Sequence, residues 1–191
     1  MFKTAAPDLD EQALISQAQS GDRPAFSELV RRHRQGVVNV VYRMCADVSL
    51  AEEAAQEAFI RTWQNLQRYN PHFAFRSWLY RIALNVALDT LRSEQQTRSL
   101  ADLPLDEHPQ APDSSDPEVA LERKERATQV RQAVLALPPA SRAVLILREY
   151  EGMSYHEIST ALDIPVGTVM SRLNYARSQV RLALSEGVLV V

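Results

Sequence analysis

One cysteine, five glycines and no long apolar run set the first bounds on this chain of 191 residues. The lone thiol, Cys45, excludes an internal disulfide and any cysteine-based metal cluster. It sits in an apolar helical stretch, where a core position is expected. So few glycines leave little turn chemistry for a strand-rich fold. No apolar segment reaches the length of a membrane span. The start, "MFKTAAPDLDEQ", lacks the basic-then-apolar layout of a signal peptide, so a soluble cytoplasmic protein with no membrane contact of its own is expected. Enzyme signatures are missing too: there is no phosphate-cradling glycine loop and no nucleophile elbow. "HEIST" at His156 begins like a zinc-protease helix but places Thr160 where a second histidine is required. His33, His72 and His108 are scattered. No catalytic residue, metal ligand or cofactor is expected.

What the chain has is helical periodicity and charge that changes by segment. Its net charge of -3 hides a connector. Residues 97–122 carry Asp102, Asp106, Glu107, Asp113, Asp116, Glu118 and Glu122 against Arg98 alone, and bases exceed acids from Arg123 onward. Two modules joined by an acidic linker are expected. Asp8 with Glu11 reads as an N-cap pair opening a helix that Gly21 stops. Asp22 with Pro24 opens the next, and Ser49 with Glu52 another. "RYNPHFAF" breaks the pattern before "RSWLYRIALNVALDTLRSE". Residues 1–95 thus read as a four-helix bundle, 96–117 as an extended proline-rich linker, and 118–191 as a second helical unit. The fold class is all-α. In the second unit Asp116–Pro117 reads as an N-cap and first-turn proline, Ser154 with Glu157 as a capping box, and Gly187 as a stop.

"YHEISTAL", the break "DIPV" and a longer helix form a helix-turn-helix. At 100° per residue Val169, Leu173, Ala176, Val180 and Leu184 share one stripe, expected to pack on Ile158, Leu162 and Leu145. The opposite side carries Gly167, Ser171, Asn174, Tyr175, Ser178 and Arg181, with Met170 and Arg177 flanking and Thr168 at the helix start. No acid occurs from Gly167 through Leu184. Such side chains bond base edges and phosphates, and a helix of this kind fits the major groove; a solvated amphipathic helix is the plainer alternative.

The stretch "RYNPHFAFRSWLYRIALNVALDTLR" pairs aromatics with arginines. Leu79, Ile82, Ala83, Val86 and Thr90 project inward; Ser77, Trp78, Arg81, Asn85 and Arg92 project outward. Arginines beside exposed aromatic and amide groups suit unpaired bases, and the "YNPHFAF" break could receive an extruded base. A core role for the aromatics is the competing expectation. In "LAEEAAQEAFIRTWQNL", Ala55, Phe59, Trp63 and Leu66 face inward while Glu53, Glu57, Ile60 and Gln64 face out. That acidic face with an apolar centre suits protein docking, or is simply solvated.

The ordered pieces "AFSELVRRH", "AEEAAQEAFIRTWQNL", "FRSWLYRIALNVALDTLR" and "LPPASRAVLILREYEGMSYHEISTALDIPVGTVMSRLNYAR" resemble bacterial sigma factors of the extracytoplasmic-function group. The resemblance covers most of the chain outside the linker. It implies that Glu53, Gln56, Glu57 and Ile60 dock on the clamp of the largest polymerase subunit, with the second subunit's flap as a further contact. It implies that Tyr69, Phe75, Arg76, Ser77, Trp78, Arg81 and Asn85 open and read the minus-ten element. The final helix, through Gly167, Thr168, Met170, Ser171, Asn174, Tyr175, Arg177 and Ser178, would read the minus-thirty-five element. The linker would thread near the polymerase active centre, and an anti-sigma factor would hold the chain inactive. Two positions depart from the family: many relatives carry basic side chains at Met170 and Tyr175. Met170 offers only apolar contact, for example to a thymine methyl, while Asn174 suits adenine. Arg172 lies toward the packed side, which favours a phosphate or structural role. The rival readings are a helix-turn-helix regulator that binds duplex DNA without polymerase and a helical adaptor that binds proteins only.

Overall fold

The computed structural model describes residues 9–97 and 117–186, with side chains from 10–92 and 122–185. Among these, eight α-helices and no strand occur: α1 Leu9–Gln19, α2 Arg23–Cys45, α3 Val48–Asn65, α4 Phe75–Thr97, α5 Pro117–Leu135, α6 Pro139–Glu149, α7 Tyr155–Leu162 and α8 Val166–Glu186, with a 3-10 turn at Leu66–Arg68 after α3. The expected caps at Asp8 and Asp116, the stop at Gly187 and nearly all of the linker lie outside the described residues. At the linker's edges α4 runs further than expected, to Thr97, and α5 starts at Pro117, the proline expected in its first turn.

Local chemistry explains where the helices start and stop. Asp22 accepts from the Ala25 amide at 3.2 Å, and Pro24 in the first turn needs no partner for a missing N–H. α3 corrects an expectation. Its cap is Asp47, which accepts from Leu50 N at 2.9 Å, so Ser49 and Glu52 already lie inside the helix and form no capping box. The Ser154–Glu157 box is present in both directions. Ala46 and Asp163 end α2 and α7 in the left-handed region, a conformation that Asp tolerates better than Ala because its short side chain is polar.

In the first half α2 runs through the middle and touches α1, α3 and α4. Its buried stripe includes Leu29, Val37, Val40, Val41 and Met44. α3 meets it through Ala51, Ala54, Ala55 and Ala58, whose small side chains let the backbones approach. α4 closes the bundle with Phe75, Leu79, Ala83 and Ala87. In the second half α6 buries Val144, Ile146 and Leu147, α7 buries Ile158 and Ala161, and α8 buries Val169, Leu173 and Ala176.

The two helical bundles pack against one another, so that buried residues of both join one apolar cluster. α2 touches α5 and α6, and α4 touches α7. Arg142 crosses the junction. Its guanidinium donates to the carbonyls of Met44, at the end of α2, and of Leu135 and Leu137. Burial lowers the pKa of Arg142, and the charge rests on these carbonyl dipoles. Gly36, inside α2, serves the same junction. A Cβ there would lie 2.6 Å from the Tyr80 hydroxyl, so only glycine lets that ring tip pass.

Candidate nucleic-acid interface

α8 presents the expected two sides. Val169, Leu173 and Ala176 are buried and Val180 and Leu184 half-buried. Gly167, Met170, Ser171, Asn174, Tyr175, Arg177, Ser178 and Arg181 are exposed, and Thr168 is half-exposed in the first turn. The turn before α8 is braced by Ser159, whose hydroxyl donates to the Ile164 carbonyl at 2.6 Å while its own carbonyl accepts from Ile164 N at 3.1 Å. The outer face thus offers an amide (Asn174), a phenol (Tyr175), a thioether (Met170) and hydroxyls on a rigid rod. Arg177 is not simply offered outward. It forms a two-pronged pair with Glu149 at the end of α6, at 3.0 and 2.6 Å, and that bond raises its pKa. Arg172 is half-buried, in keeping with its expected place toward the packed side.

On α4 the structure divides the expected set. Tyr69, Phe75 and Ser77 are buried; for Ser77 this corrects the expected outward projection, and for the two aromatics it is the core alternative. Tyr69 and Phe75 meet edge to face at 5.5 Å, and each also packs against Trp78. The Tyr69 hydroxyl donates to the Phe73 carbonyl at 2.6 Å, tying the loop down. Ser77 misleads the helical projection, because α4 is buried on more than its inward stripe: Ser77 and Tyr80 are 2% and 3% exposed. Trp78, Arg76 and Arg81 are half-exposed and Asn85 exposed.

Trp78, Arg81, Ile82 and Asn85 line a recess of about 260 Å³ together with Arg61, Asn65 and Arg68. Its walls combine an indole face, two amides and three guanidinium groups, which is the chemistry that stacks and hydrogen-bonds an unpaired base beside its phosphates. The α3-side residues Arg61, Asn65 and Arg68 were not singled out from the sequence. The spacing of Arg61 and Asn65 was a usable signal, since residues four apart share one face of α3, whereas Arg68 follows in the 3-10 turn.

The second half meets this surface. Arg81 pairs with Asp163, in the turn of the helix-turn-helix, at 2.8 Å. Arg76 donates to the Glu151 carbonyl at 3.2 Å, and the Tyr80 hydroxyl donates to the Glu151 carboxylate at 2.7 Å. Burial first, then Glu151, pushes the Tyr80 pKa up, so the group remains a neutral donor. On α3, Glu53 and Gln56 are exposed, Glu57 is half-exposed and holds Arg61 at 2.7 Å, and Ile60 is 52% exposed. An isoleucine so open at the centre of an acidic stripe has no covering partner among the described residues.

Comparison with known proteins adds sequence kinship to this geometry. Residues 29–97 match the family description Sigma-70 region 2, and residues 127–180 match Sigma-70, region 4. The RNA polymerase sigma-H factor of Pseudomonas aeruginosa is 37% identical over 91% of this chain and 93% of its own length. The ECF RNA polymerase sigma factor SigW of Bacillus subtilis is 34% identical over 90% and 95% respectively. Among solved structures, the sigma factor RpoE of Bartonella quintana, in complex with the anti-sigma factor NepR, superposes with a TM-score of 0.68 at 18% identity, over 84% of this chain and 96% of that one, which is a likeness of fold.

Proposed function

This chain belongs to the extracytoplasmic-function group of the sigma-70 family, and on that premise we propose that it binds core RNA polymerase and directs promoter-specific initiation. Residues 1–95 dock on polymerase through Glu53, Gln56, Glu57 and Ile60 and take the minus-ten element. Residues 118–191 read the minus-thirty-five element with α8, and residues 96–117 connect the two. The chain carries out no reaction of its own and acts in the cytoplasm. No helix among the described residues is long and apolar enough to cross a membrane.

The observation that most supports this reading is the recess between Trp78, Asn65 and Asn85 on the same chain as a helix-turn-helix. A regulator that binds only duplex DNA has no use for a pocket sized for an unstacked base. Within that recess Trp78 supplies the stacking wall, Asn65 and Asn85 the base-edge bonds, and Arg61, Arg68 and Arg81 the phosphate contacts. Tyr69 and Phe75 act from behind, fixing the indole. Control by an anti-sigma factor belongs to the same reading, because a protein of this fold is held by one.

Run-off transcription tests it. Bacterial core polymerase and a fragment library from the host genome, with and without this chain, should give chain-dependent transcripts that share two spaced upstream elements. If no transcript depends on the chain while a palindromic duplex is retained by the chain alone, the duplex-binding regulator is the better reading.

A further inference from the structure

We infer that the groove between α2 and α5 is a binding site for a small amphiphilic anion, an unbranched alkyl carboxylate taken up as a single molecule. The inference goes beyond the promoter reading and does not depend on it.

The groove has a volume of about 480 Å³, within the range of roughly 300–1,000 Å³ common to small-ligand sites. Its floor is aliphatic. Ala127, Val130 and Val134 follow one another along one face of α5, and Leu135 and the α2 cap residue Ala46 complete it. Its rim is basic. Arg123 and Arg126 stand beside the start of that stripe, and Arg43 reaches the groove from α2. No carboxylate lies among the described lining residues. Arg123 and Arg126 are exposed and three residues apart, so like charges sit side by side on the helix. A carboxylate held between them relieves that repulsion through charge-assisted bonds. An apolar tail covers surface that is open to water, since Tyr150 is 45% exposed and Ala127 is exposed too.

The lining also discriminates among anions. A nucleotide needs a free ring face for its base and amide side chains for the base edges. Here both rings already carry a guanidinium: Arg43 lies 4.4 Å from the centre of the Tyr150 ring, and Arg131 lies 5.7 Å from that of Tyr42. No amide side chain lies among the described lining residues. An extended peptide would leave its own N–H and C=O groups unpaired against these helix faces. A helix is too wide. Ala127 to Leu135 spans about 12 Å at about 1.5 Å per residue. A volume of about 480 Å³ over that length leaves a channel roughly 7 Å across, against about 10–12 Å for a helix with its side chains. An alkyl chain needs neither hydrogen-bond partners nor that width. Three bonds of an extended chain advance about 3.3–3.6 Å, so the floor takes about ten bonds, the reach of dodecanoate.

The test is calorimetric titration of the full chain with dodecanoate below its micelle concentration. One site per chain should saturate, and the thermal midpoint should rise with ligand concentration. Dodecyltrimethylammonium, with the same tail and the opposite charge, should bind at least about tenfold more weakly. Arg123→Gln with Arg126→Gln should weaken dodecanoate by a similar factor. Ala127→Trp, which puts a large ring at an exposed position of the floor, should abolish binding. Each variant is compared with its own ligand-free midpoint, so that loss of the site is told from loss of the fold. No saturable binding to the wild type overturns the inference. So does equal binding of the cation, which is partition of the tail alone, and so does undiminished binding by both variants, which places the site elsewhere. Retention on phosphatidylglycerol vesicles without dodecanoate binding means a membrane surface and overturns it as well. Failure of run-off transcription sinks the promoter reading and leaves each of these results standing.

Discussion

At the scale of single residues, chemistry and position divide the work. Asn174 stands exposed on α8 with a side-chain amide that has both a donor and an acceptor end, and a bidentate amide–adenine contact is worth about 1–3 kcal/mol of discrimination. Asn174→Ala should therefore relax choice at one position of the upstream element while leaving polymerase binding unchanged, as measured by transcription from promoter libraries. Glu11 works on stability instead. Its hydrogen bond to His33, at 2.7 Å, holds its pKa below the usual carboxylate value, against the opposing effect of burial. A depressed carboxyl stabilises the fold above its unfolded pKa of about 4.5 and loses that contribution as pH falls through the folded value. Glu11→Gln should accordingly be less stable near neutrality and show a flatter decline in denaturation midpoint from pH 5 downward. A parallel decline in the two proteins would mean that the bond contributes nothing.

At the scale of elements, α8 is held as a lever on α6 and α7. Leu173 is 1% exposed at the centre of that contact, and truncating a buried leucine costs about 2–5 kcal/mol. Leu173→Ala should lower the thermal midpoint and reduce reading of the upstream element even though the residue touches no DNA. If the midpoint is unchanged in calorimetry, the packing of α8 is not as described. Much of this element was legible in sequence, because a helix that packs on one side only writes its period plainly: Val169, Leu173 and Ala176 point in, and Met170, Asn174 and Tyr175 point out. α4 was less legible because it is covered on two sides. Ser77 looks outward on a wheel yet is buried, and no local pattern announces that nearby Tyr80 meets Glu151, 71 residues away in the chain. The cap of α3 was misplaced for a different reason. Two capping sequences overlap at Asp47 and Ser49, and the backbone uses the first. Arg61, Asn65 and Arg68 went unnoticed because they complete a recess whose other wall belongs to α4.

At the scale of the whole molecule, one core runs through both halves, with Arg142 across the seam. None of the described contacts between the halves requires the peptide bonds that link them. A nick placed between Arg98 and Asp116 would therefore yield two fragments that still recognise one another through the apolar cluster they share. They should co-elute in size-exclusion chromatography at micromolar concentration and separate on dilution, since cutting removes the tether's effective concentration and leaves the interface alone. Arg142→Ala in the nicked protein should separate them at higher concentration. In this molecule covalent continuity sets how often the halves meet, while the seam sets how long they stay together.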